Sequence, residues 1–258
     1  MRQDTAIGAK KETHSKTENI IEIKNLCKSF KNNDVLNGVS LTVKKDEVLV
    51  ILGRSGSGKS VTIKCMVGLV RADEGEIMIF GTDVNKLNNN ALNEIRSRIG
   101  FLFQNGALYD SMTVRQNLAF TLQHHTKNLT SEEVDNAVME ALQNVGLEDA
   151  IDKMPSELSG GMRKRIGLAR TLIIKPEIIL YDEPTSGLDS ITAREINELI
   201  LSIQKKFKTT SIVITHDMAC AKRTGNRIMI LKDGVISAEG SYSELEKSKE
   251  EWIRSFFI

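Results

Sequence analysis

The chain has 258 residues, enough to bury a sizeable core as one domain or as one domain with an insertion. Hydrophobic residues make up 40% of the sequence and charged residues 27%, an ordinary globular composition. The formal net charge is only +1, so the sequence lacks the strong basic bias that marks a dedicated nucleic-acid binder.

The first half of the chain predicts a polar start followed by alternating strands and helices. Residues 1–19 are rich in Lys, Thr and Glu and predict a flexible N-terminal tail. Val48–Leu52 is a continuous apolar run, which is typical of a strand buried on both faces. The other elements predicted here are strands marked by Ile21 and Ile23, by Leu41 and Val43, and by Ile77 and Ile79, helices over 61–70 and 92–98, and a strand over 99–103.

Strand signals vanish between residues 105 and 158, and we interpret this stretch as a helical insertion. Helices are predicted over 113–122 and 131–145, and Thr130 with Glu133 forms a capping-box pattern before the second. Afterwards the alternation of strands and helices resumes, which predicts a mostly parallel sheet covered on both sides. The elements of this last part are helices over 160–174 and 191–207, strands over 178–181 and 211–215, and a hairpin around Asp233-Gly234.

A glycine-rich loop follows the buried strand and precedes a helix. It matches the phosphate-binding pattern G-x-x-x-x-G-K-[ST] in full, in the setting that the pattern requires. Exposed N–H groups of such a loop and the positive end of the helix favour an anion. We expect Lys59 to reach the β- and γ-phosphates and Ser60 to coordinate Mg²⁺. The predicted nucleotide-binding residues are Gly53, Arg54, Ser55, Gly56, Ser57, Gly58, Lys59, Ser60 and Thr62.

Two adjacent carboxylates, Asp182 and Glu183, close the apolar strand predicted over 178–181. Ligands of open α/β sheets sit at the carboxyl ends of the strands, so both side chains are expected beside the glycine loop. We predict that Asp182 holds the Mg²⁺ ion and its water shell. Glu183 is predicted to orient and deprotonate the attacking water.

Five further sequence elements occur in a fixed order around these two. They are Phe30 upstream of the glycine loop, Gln104 at the end of the strand over 99–103, Leu-Ser-Gly-Gly-Met at 158–162, Ser-Gly-Leu-Asp at 186–189, and Thr-His-Asp at 215–217. Together with the glycine loop and the acidic pair, they resemble the ordered motifs of ABC-type ATPases. The resemblance covers nearly everything from about residue 20 to residue 240.

The resemblance implies an α/β fold with a P-loop NTPase (RecA-like) core built on a mostly parallel sheet. It also implies an N-terminal antiparallel β subdomain and an ABC-type helical subdomain at about 105–158. The ATPase domain is then expected over 20–240, between the flexible tail at 1–19 and a helical C-terminal tail at 241–258. ATP and Mg²⁺ are the expected cofactors.

In this family each motif has an expected role. Phe30 would stack on adenine, Gln104 would be a third Mg²⁺ ligand that also senses the γ-phosphate, and His216 would act as the switch histidine. Four residues, Ser159, Gly160, Gly161 and Asp189, would complete the ATP site of a partner subunit in a head-to-tail homodimer. The chain departs from the common pattern at Met162, where many relatives carry glutamine, and at Asp46, where they often carry glycine.

Residues 103–114 read FQNGALYDSMTV and are similar to the matching segment of Mla/Mkl-type ATPases. That group moves phospholipid or other lipids, which implies an integral membrane permease and an MCE-domain partner. The permease would dock near Leu108 and Tyr109, although these residues could instead fill the core of the insertion. The chain is expected to be cytoplasmic and peripheral on the inner face of the membrane through that permease.

Two alternatives stay open. The first is the ATPase of another ABC importer, for an amino acid or a metal chelate. The second is a soluble ABC ATPase acting on nucleic acid or ribosomes, although the chain shows no long coiled coil, zinc motif or second ATPase domain. We expect no nucleic-acid partner.

Overall fold

The structure is a computed structural model that describes residues 18–31 and 33–257. The predicted flexible tail over 1–19 lies mostly outside the described residues, and the first strand already begins at Asn19. The strands are β1 (Asn19–Phe30), β2 (Asn33–Lys44), β3 (Val48–Leu52), β4 (Glu74–Ile79), β5 (Thr82–Asp83), β6 (Ile99–Leu102), β7 (Ile178–Asp182), β8 (Thr210–Thr215), β9 (Arg227–Lys232) and β10 (Val235–Gly240). The helices are α1 (Lys59–Met66), α2 (Asn89–Arg96), α3 (Val114–His125), α4 (Ser131–Gln143), α5 (Gly160–Leu172), α6 (Ser190–Phe207), α7 (Met218–Thr224), α8 (Tyr242–Glu246) and α9 (Glu251–Arg254).

The strands form two sheets. The smaller sheet is antiparallel in the order β2-β1-β4-β5. The larger sheet has the order β10-β9-β3-β8-β7-β6, and all its pairs are parallel except β10 with β9. The predicted fold class is therefore confirmed, with an N-terminal antiparallel sheet beside a mostly parallel one.

The larger sheet separates two hydrophobic cores. Residues of β3 alternate between them, so that Val48, Val50 and Leu52 pack with the helical side while Leu49 and Ile51 pack towards the antiparallel sheet. All five residues of β3 are buried, as the continuous apolar run predicts. The glycine loop follows directly after this fully buried strand, so the core fixes the position of the start of the loop.

The stretch between β6 and α5 contains helices α3 and α4 and two short 3₁₀ turns. Thr113 and Thr130 cap the two helices with complete capping boxes, the second of which was predicted from Thr130 and Glu133. The helix predicted over 61–70 is displaced, because α1 already begins at Lys59 and ends at Met66. Gly68, with φ of +64°, reverses the chain there.

The C-terminal segment folds back onto the chain's own surface. Ile253 of α9 is buried, and Trp252, Phe256 and Phe257 pack against the core on the helical side. The rings of Tyr242 and Phe257 meet edge to face, with centroids 5.0 Å apart. The aromatic side chains of this segment therefore cover part of the chain's own surface. Trp252 and residues 54–57 of the glycine loop line the same cavity.

Candidate nucleotide-binding site

The glycine loop connects β3 to α1 and requires glycine at two positions for steric reasons. Gly58 has φ of +101°, and a Cβ there would lie 2.6 Å from Leu36 Cδ2 and 2.9 Å from the Val35 carbonyl oxygen. A Cβ on Gly53 would lie 2.6 Å from the Leu231 carbonyl oxygen. The loop is therefore pressed against the neighbouring strands. Backbone N–H groups of a glycine-rich loop at the start of a helix favour a bound anion.

Lys59 stands at the first position of α1 and is only 6% exposed. Its Nζ donates to the carbonyl oxygens of Gly53 at 2.8 Å and Arg54 at 3.1 Å, and lies 3.4 Å from Glu183 Oε1. The hydroxyl of Ser57 is buried and has no hydrogen-bond partner among the described residues. A buried cation beside an unpaired hydroxyl, both on a glycine-rich loop, suits a phosphate chain.

The residues predicted to hold Mg²⁺ are only partly brought together. Ser60 Oγ donates to Asp182 Oδ1 at 3.0 Å, so the two oxygen ligands lie side by side at the carboxyl end of β7. Burial raises the pKa of Asp182 above its ordinary value. A bound cation would act in the opposite direction and favour the ionised carboxylate. Oxygen donors of this kind fit Mg²⁺, which is usually held by one or two side chains and substrate phosphates.

Gln104, the third predicted Mg²⁺ ligand, points elsewhere in this state. Its Nε2 donates to Ser186 Oγ at 3.2 Å, and no hydrogen bond joins it to Ser60 or Asp182 within the part of the chain that the structure describes. Gln104 and Ser186 line a cavity of about 460 Å³ with Gly160. Gln104 thus links the segment after β6 to the loop between β7 and α6, beside the start of α5.

Glu183, the predicted general base, is 9% exposed and has φ of +50°, a left-handed value that side chains rarely adopt. Its Oε2 accepts a hydrogen bond from His216, with Nδ1 2.9 Å away, and its Oε1 faces Lys59. The carboxylate is therefore aimed at the glycine loop and contacts the histidine from the end of β8. The three predicted residues Lys59, Glu183 and His216 form one constellation.

Ser159 and Asp189 both cap helices. Ser159 Oγ accepts from Met162 N at the start of α5, and Asp189 accepts from Ile191 N, Thr192 N and the Thr192 hydroxyl at the start of α6. The bond from Thr192 Oγ1 is the largest influence that lowers the pKa of Asp189. Gly161 permits the approach of α5 to α6, because a Cβ there would lie 2.5 Å from Thr192 Cγ2.

The segment 158–162, which reads Leu-Ser-Gly-Gly-Met, does not line the cavity beside the glycine loop of its own chain. Residues 54–57 line a separate cavity of about 560 Å³ together with Val35, Asp233, Trp252 and Phe256.

Thr62 lies on the buried side of α1, where its hydroxyl donates to the Gly58 carbonyl, so it supports the glycine loop from the side of the core. Phe30 is 45% exposed at the end of β1, with Lys28 Nζ 5.2 Å from its ring centroid.

The loop that carries Leu108 and Tyr109 is held by a buried asparagine. Asn117 accepts from Tyr109 N at 2.7 Å and donates to the carbonyl oxygens of Tyr109, Met112 and Thr113 at 3.0–3.1 Å. Tyr109 remains 47% exposed and meets Phe120 edge to face, whereas Leu108 is half-buried against the core. The loop therefore presents one aromatic side chain on a rigid support. The sequence pattern alone did not predict that Asn117 holds it.

Lys164 is the second residue that the sequence analysis missed. It falls in the run Arg163-Lys164-Arg165, which looks like a solvated helix face, yet it is only 6% exposed. Its position three residues after Gly161 and four before Leu168 places it on the buried side of α5. Helical spacing is the signal that could have predicted the burial of Lys164.

Comparison with known proteins gives consistent matches. A family model described as ABC transporter matches residues 36–186. The probable ribonucleotide transport ATP-binding protein mkl of Mycobacterium leprae is 42% identical over 236 residues, covering 92% of this chain and 68% of that protein. The methionine import ATP-binding protein MetN of Clostridium tetani is 39% identical over 226 residues, covering 88% of this chain and 70% of that protein. The chain thus spans about two thirds of the length of these relatives.

Solved structures also match. The dimeric post-hydrolysis state of the ATP-binding cassette MJ0796, bound to ADP and Pi, superposes with a TM-score of 0.80 at 34% identity, covering 86% of this chain and 98% of that one. The protein cbiO1 of Clostridium perfringens, part of the ABC transporter complex cbiONQ, gives a TM-score of 0.81 at 28% identity, covering 92% of this chain and 94% of that one.

Among the helices that the structure describes, none has the length and apolar character needed to cross a bilayer.

Proposed function

The chain belongs to the ABC transporter family of ATP-binding proteins, and from this premise we propose that it hydrolyses ATP to drive a bacterial lipid transporter through a separate permease. The observation that carries the lipid assignment is the segment 103–114, which is similar to that of Mla/Mkl-type ATPases. The 42% identity to an mkl protein supports the same group, although the name of that relative refers to ribonucleotide transport.

The residues of the site divide the chemistry of hydrolysis between them. Backbone N–H groups of the glycine loop and the Lys59 ammonium hold the phosphate chain. Ser60 and Asp182 would hold Mg²⁺, which neutralises charge on the β- and γ-phosphates when it is bound. The Glu183 carboxylate takes a proton from the attacking water, and His216 holds that carboxylate through its Nδ1 contact.

We propose that the working form is a homodimer whose two ATP sites are shared. The start of α5, with Ser159 as its cap, is free to receive an anion, since its first N–H groups point out of the helix. It lies on a different cavity from the glycine loop of the same chain. A partner in head-to-tail orientation would bring the two together, as the dimeric state of a similar cassette suggests.

Mixing two inactive variants tests the shared site. Ser159→Arg is expected to abolish hydrolysis because the larger side chain obstructs the γ-phosphate of the partner's ATP, and Lys59→Ala is expected to be inactive through lost binding. A mixed dimer has one site with an intact glycine loop and an intact start of α5. Steady-state ATPase assays of the mixture should therefore recover part of the activity that each variant lacks alone. Full activity of Ser159→Arg by itself would contradict the shared site.

The loop with Tyr109 is the proposed docking point for the permease. It follows Gln104 directly, so a change at the site that Gln104 senses can reach it, and Asn117 keeps its shape. Exposed aromatic side chains on rigid supports are frequent anchors of protein interfaces. An MCE-domain lipid-binding protein is proposed as a further member of the complex, by resemblance to the Mla/Mkl group.

Tyr109→Ala is expected to weaken assembly with the permease while sparing the fold and ATPase activity of the isolated chain. The lost edge-to-face contact with Phe120 is worth about 0.5–1.5 kcal/mol, so the melting midpoint should fall by no more than roughly 2–6 °C. Co-purification with a tagged permease measures assembly, and a melting curve measures the stability of the isolated chain. Met139→Ala, another exposed apolar residue of the insertion, is the matched control. Normal assembly of the Tyr109 variant would exclude this docking point.

Import of an amino acid is the second candidate, because MetN proteins are 39% identical to the chain. A cell that carries Glu183→Gln in place of the native chain separates the two. The lipid assignment predicts sensitivity to detergent and altered surface phospholipid with normal methionine uptake. Loss of methionine uptake with normal detergent resistance would instead support the importer.

A further inference from the structure

Helix α5 connects two functional elements that belong to different ATP sites in the proposed dimer. In that dimer the first turn of α5, which Ser159 caps, would face the partner's nucleotide. One turn further on, Lys164 turns inward and its Nζ donates to the main-chain carbonyl oxygen of Glu183 at 3.0 Å. The residue that carries the catalytic carboxylate of one site is thus hydrogen-bonded, through its main-chain carbonyl, to the helix whose first turn contributes to the other site.

The backbone of Glu183 is held from two sides. Its N–H donates to the Ile214 carbonyl oxygen at 2.9 Å, and its carbonyl accepts from Lys164 Nζ at 3.0 Å and from Ser186 N at 3.2 Å. Between these bonds the residue keeps φ of +50°, a sparsely populated conformation that persists only when the surroundings impose it. This conformation aims the carboxylate between Lys59 and His216. The Lys164 bond therefore contributes directly to where the base points.

Lys164 is an unusual residue to find in such a place. Lysine is rarely buried without a partner, and this side chain makes one hydrogen bond within the described residues. Burial lowers the pKa of its ammonium, whereas the nearby carboxylates of Glu183 and Asp182 act in the opposite direction. The exposed neighbour Arg163 shows that a cation at this part of α5 can stay in solvent.

We propose that Lys164 is a positioning residue that couples the start of α5 to the catalytic carboxylate of Glu183. ATP held by the partner would seat against the first turn of α5, which lies about 7 Å along the helix from Lys164. Because a helix moves as a rigid unit, that contact sets the position of the ammonium and hence of the Glu183 carbonyl. ATP in one site then promotes hydrolysis in the other. This inference rests on the proposed shared-site dimer.

Lys164→Met tests the coupling, because methionine keeps the apolar stem and removes the donor. Steady-state ATPase activity of the full chain would be measured against ATP concentration, with calorimetric ATP binding in parallel. We expect kcat to fall about tenfold, as loss of a charge-assisted bond would give. The Hill coefficient should fall towards 1 from a higher wild-type value. ATP affinity should stay within about twofold of the wild-type value, since Lys164 lies outside the glycine loop that holds the phosphates.

Lys164→Gln separates positioning from packing, since its amide retains a donor that can reach towards the same carbonyl. We expect it to recover most of kcat and of the Hill coefficient. Lys205→Met, at an exposed position of α6, should match the wild type in both. Wild-type values in Lys164→Met would overturn the proposal. Equal losses in the methionine and glutamine variants, in proportion to lowered melting midpoints, would also overturn it.

Hydrogen exchange of the wild-type chain provides a test that needs no variant at Lys164. A non-hydrolysable ATP analogue should slow exchange in the segment 183–186 and at the start of α5 together, relative to ADP. Slowed exchange at the start of α5 alone would contradict the coupling. If the wild-type chain neither hydrolyses ATP nor dimerises with it, the proposed function itself fails, which is a different result from unchanged kinetics in Lys164→Met.

Discussion

Replacing Glu183 with glutamine is expected to abolish ATP turnover while leaving ATP binding intact. Glutamine keeps the size of the side chain and its contact distance to His216, but it cannot accept a proton from the attacking water. Loss of a general base typically lowers the rate by about 10²–10⁴-fold. Phosphate release measured at saturating ATP gives kcat, and calorimetry gives the affinity.

The matched control for this variant is Glu177→Gln, which neutralises a carboxylate that pairs with Arg98 just before β7. That variant should keep wild-type turnover, because Glu177 lies at the opposite end of the strand from the site. Undiminished hydrolysis in Glu183→Gln would remove Glu183 from the role of base. The role would then have to pass to another group near the glycine loop.

Replacing Lys59 with alanine is expected to remove most of the affinity for ATP. The ammonium is buried, is held by two carbonyl oxygens of the glycine loop, and is the cation that faces Glu183. Truncating one member of a buried charged contact costs about 2–5 kcal/mol, so Kd should rise by roughly 30- to 4,000-fold. Calorimetric titration with ATP and Mg²⁺ measures this change.

Lys205→Ala, at an exposed position of α6, is the control for the Lys59 variant because it removes the same charge far from the glycine loop. It should bind ATP as the wild type does. A Lys59→Ala chain that folds normally and binds ATP with unchanged affinity would show that the phosphates do not sit against this loop.

Local sequence was sufficient to predict most of the fold. The run Val48–Leu52 is apolar at every position, and it forms a strand that is buried on both faces of a parallel sheet. The capping box at Thr130 marked the start of α4 to the residue. Helix ends were less predictable, since α1 ends at Met66 where the backbone conformation of Gly68 intervenes in an otherwise apolar run.

The candidate site divides in the same way. Residues whose chemistry depends on spacing, such as Lys59 and Glu183, were predicted from the sequence and lie within 3.4 Å of one another. Residues that act by contacts between distant segments were not. Asn117 and Lys164 look like ordinary helix residues, and their importance comes from the main-chain groups that tertiary packing places beside them.

Asp46 shows how a departure from a family pattern can be explained by the structure. The residue has φ of +63° in the turn between β2 and β3, a conformation that glycine adopts freely and that aspartate tolerates better than most side chains. The turn is also held from outside, because Gln204 donates to the Asp46 carbonyl and Asp46 N donates to Thr210 Oγ1. The substitution is therefore accommodated without change to the strand that carries the glycine loop.

The molar mass of the Glu183→Gln chain in solution tests the central claim most directly, because it shows whether ATP is shared between two chains. Light scattering should give 28.7 kDa without nucleotide and twice that mass with ATP and Mg²⁺. Adding Ser159→Arg to the same chain should keep the mass at 28.7 kDa even when ATP is bound. A mass of 28.7 kDa for Glu183→Gln at saturating ATP, with binding verified by calorimetry, would contradict the account.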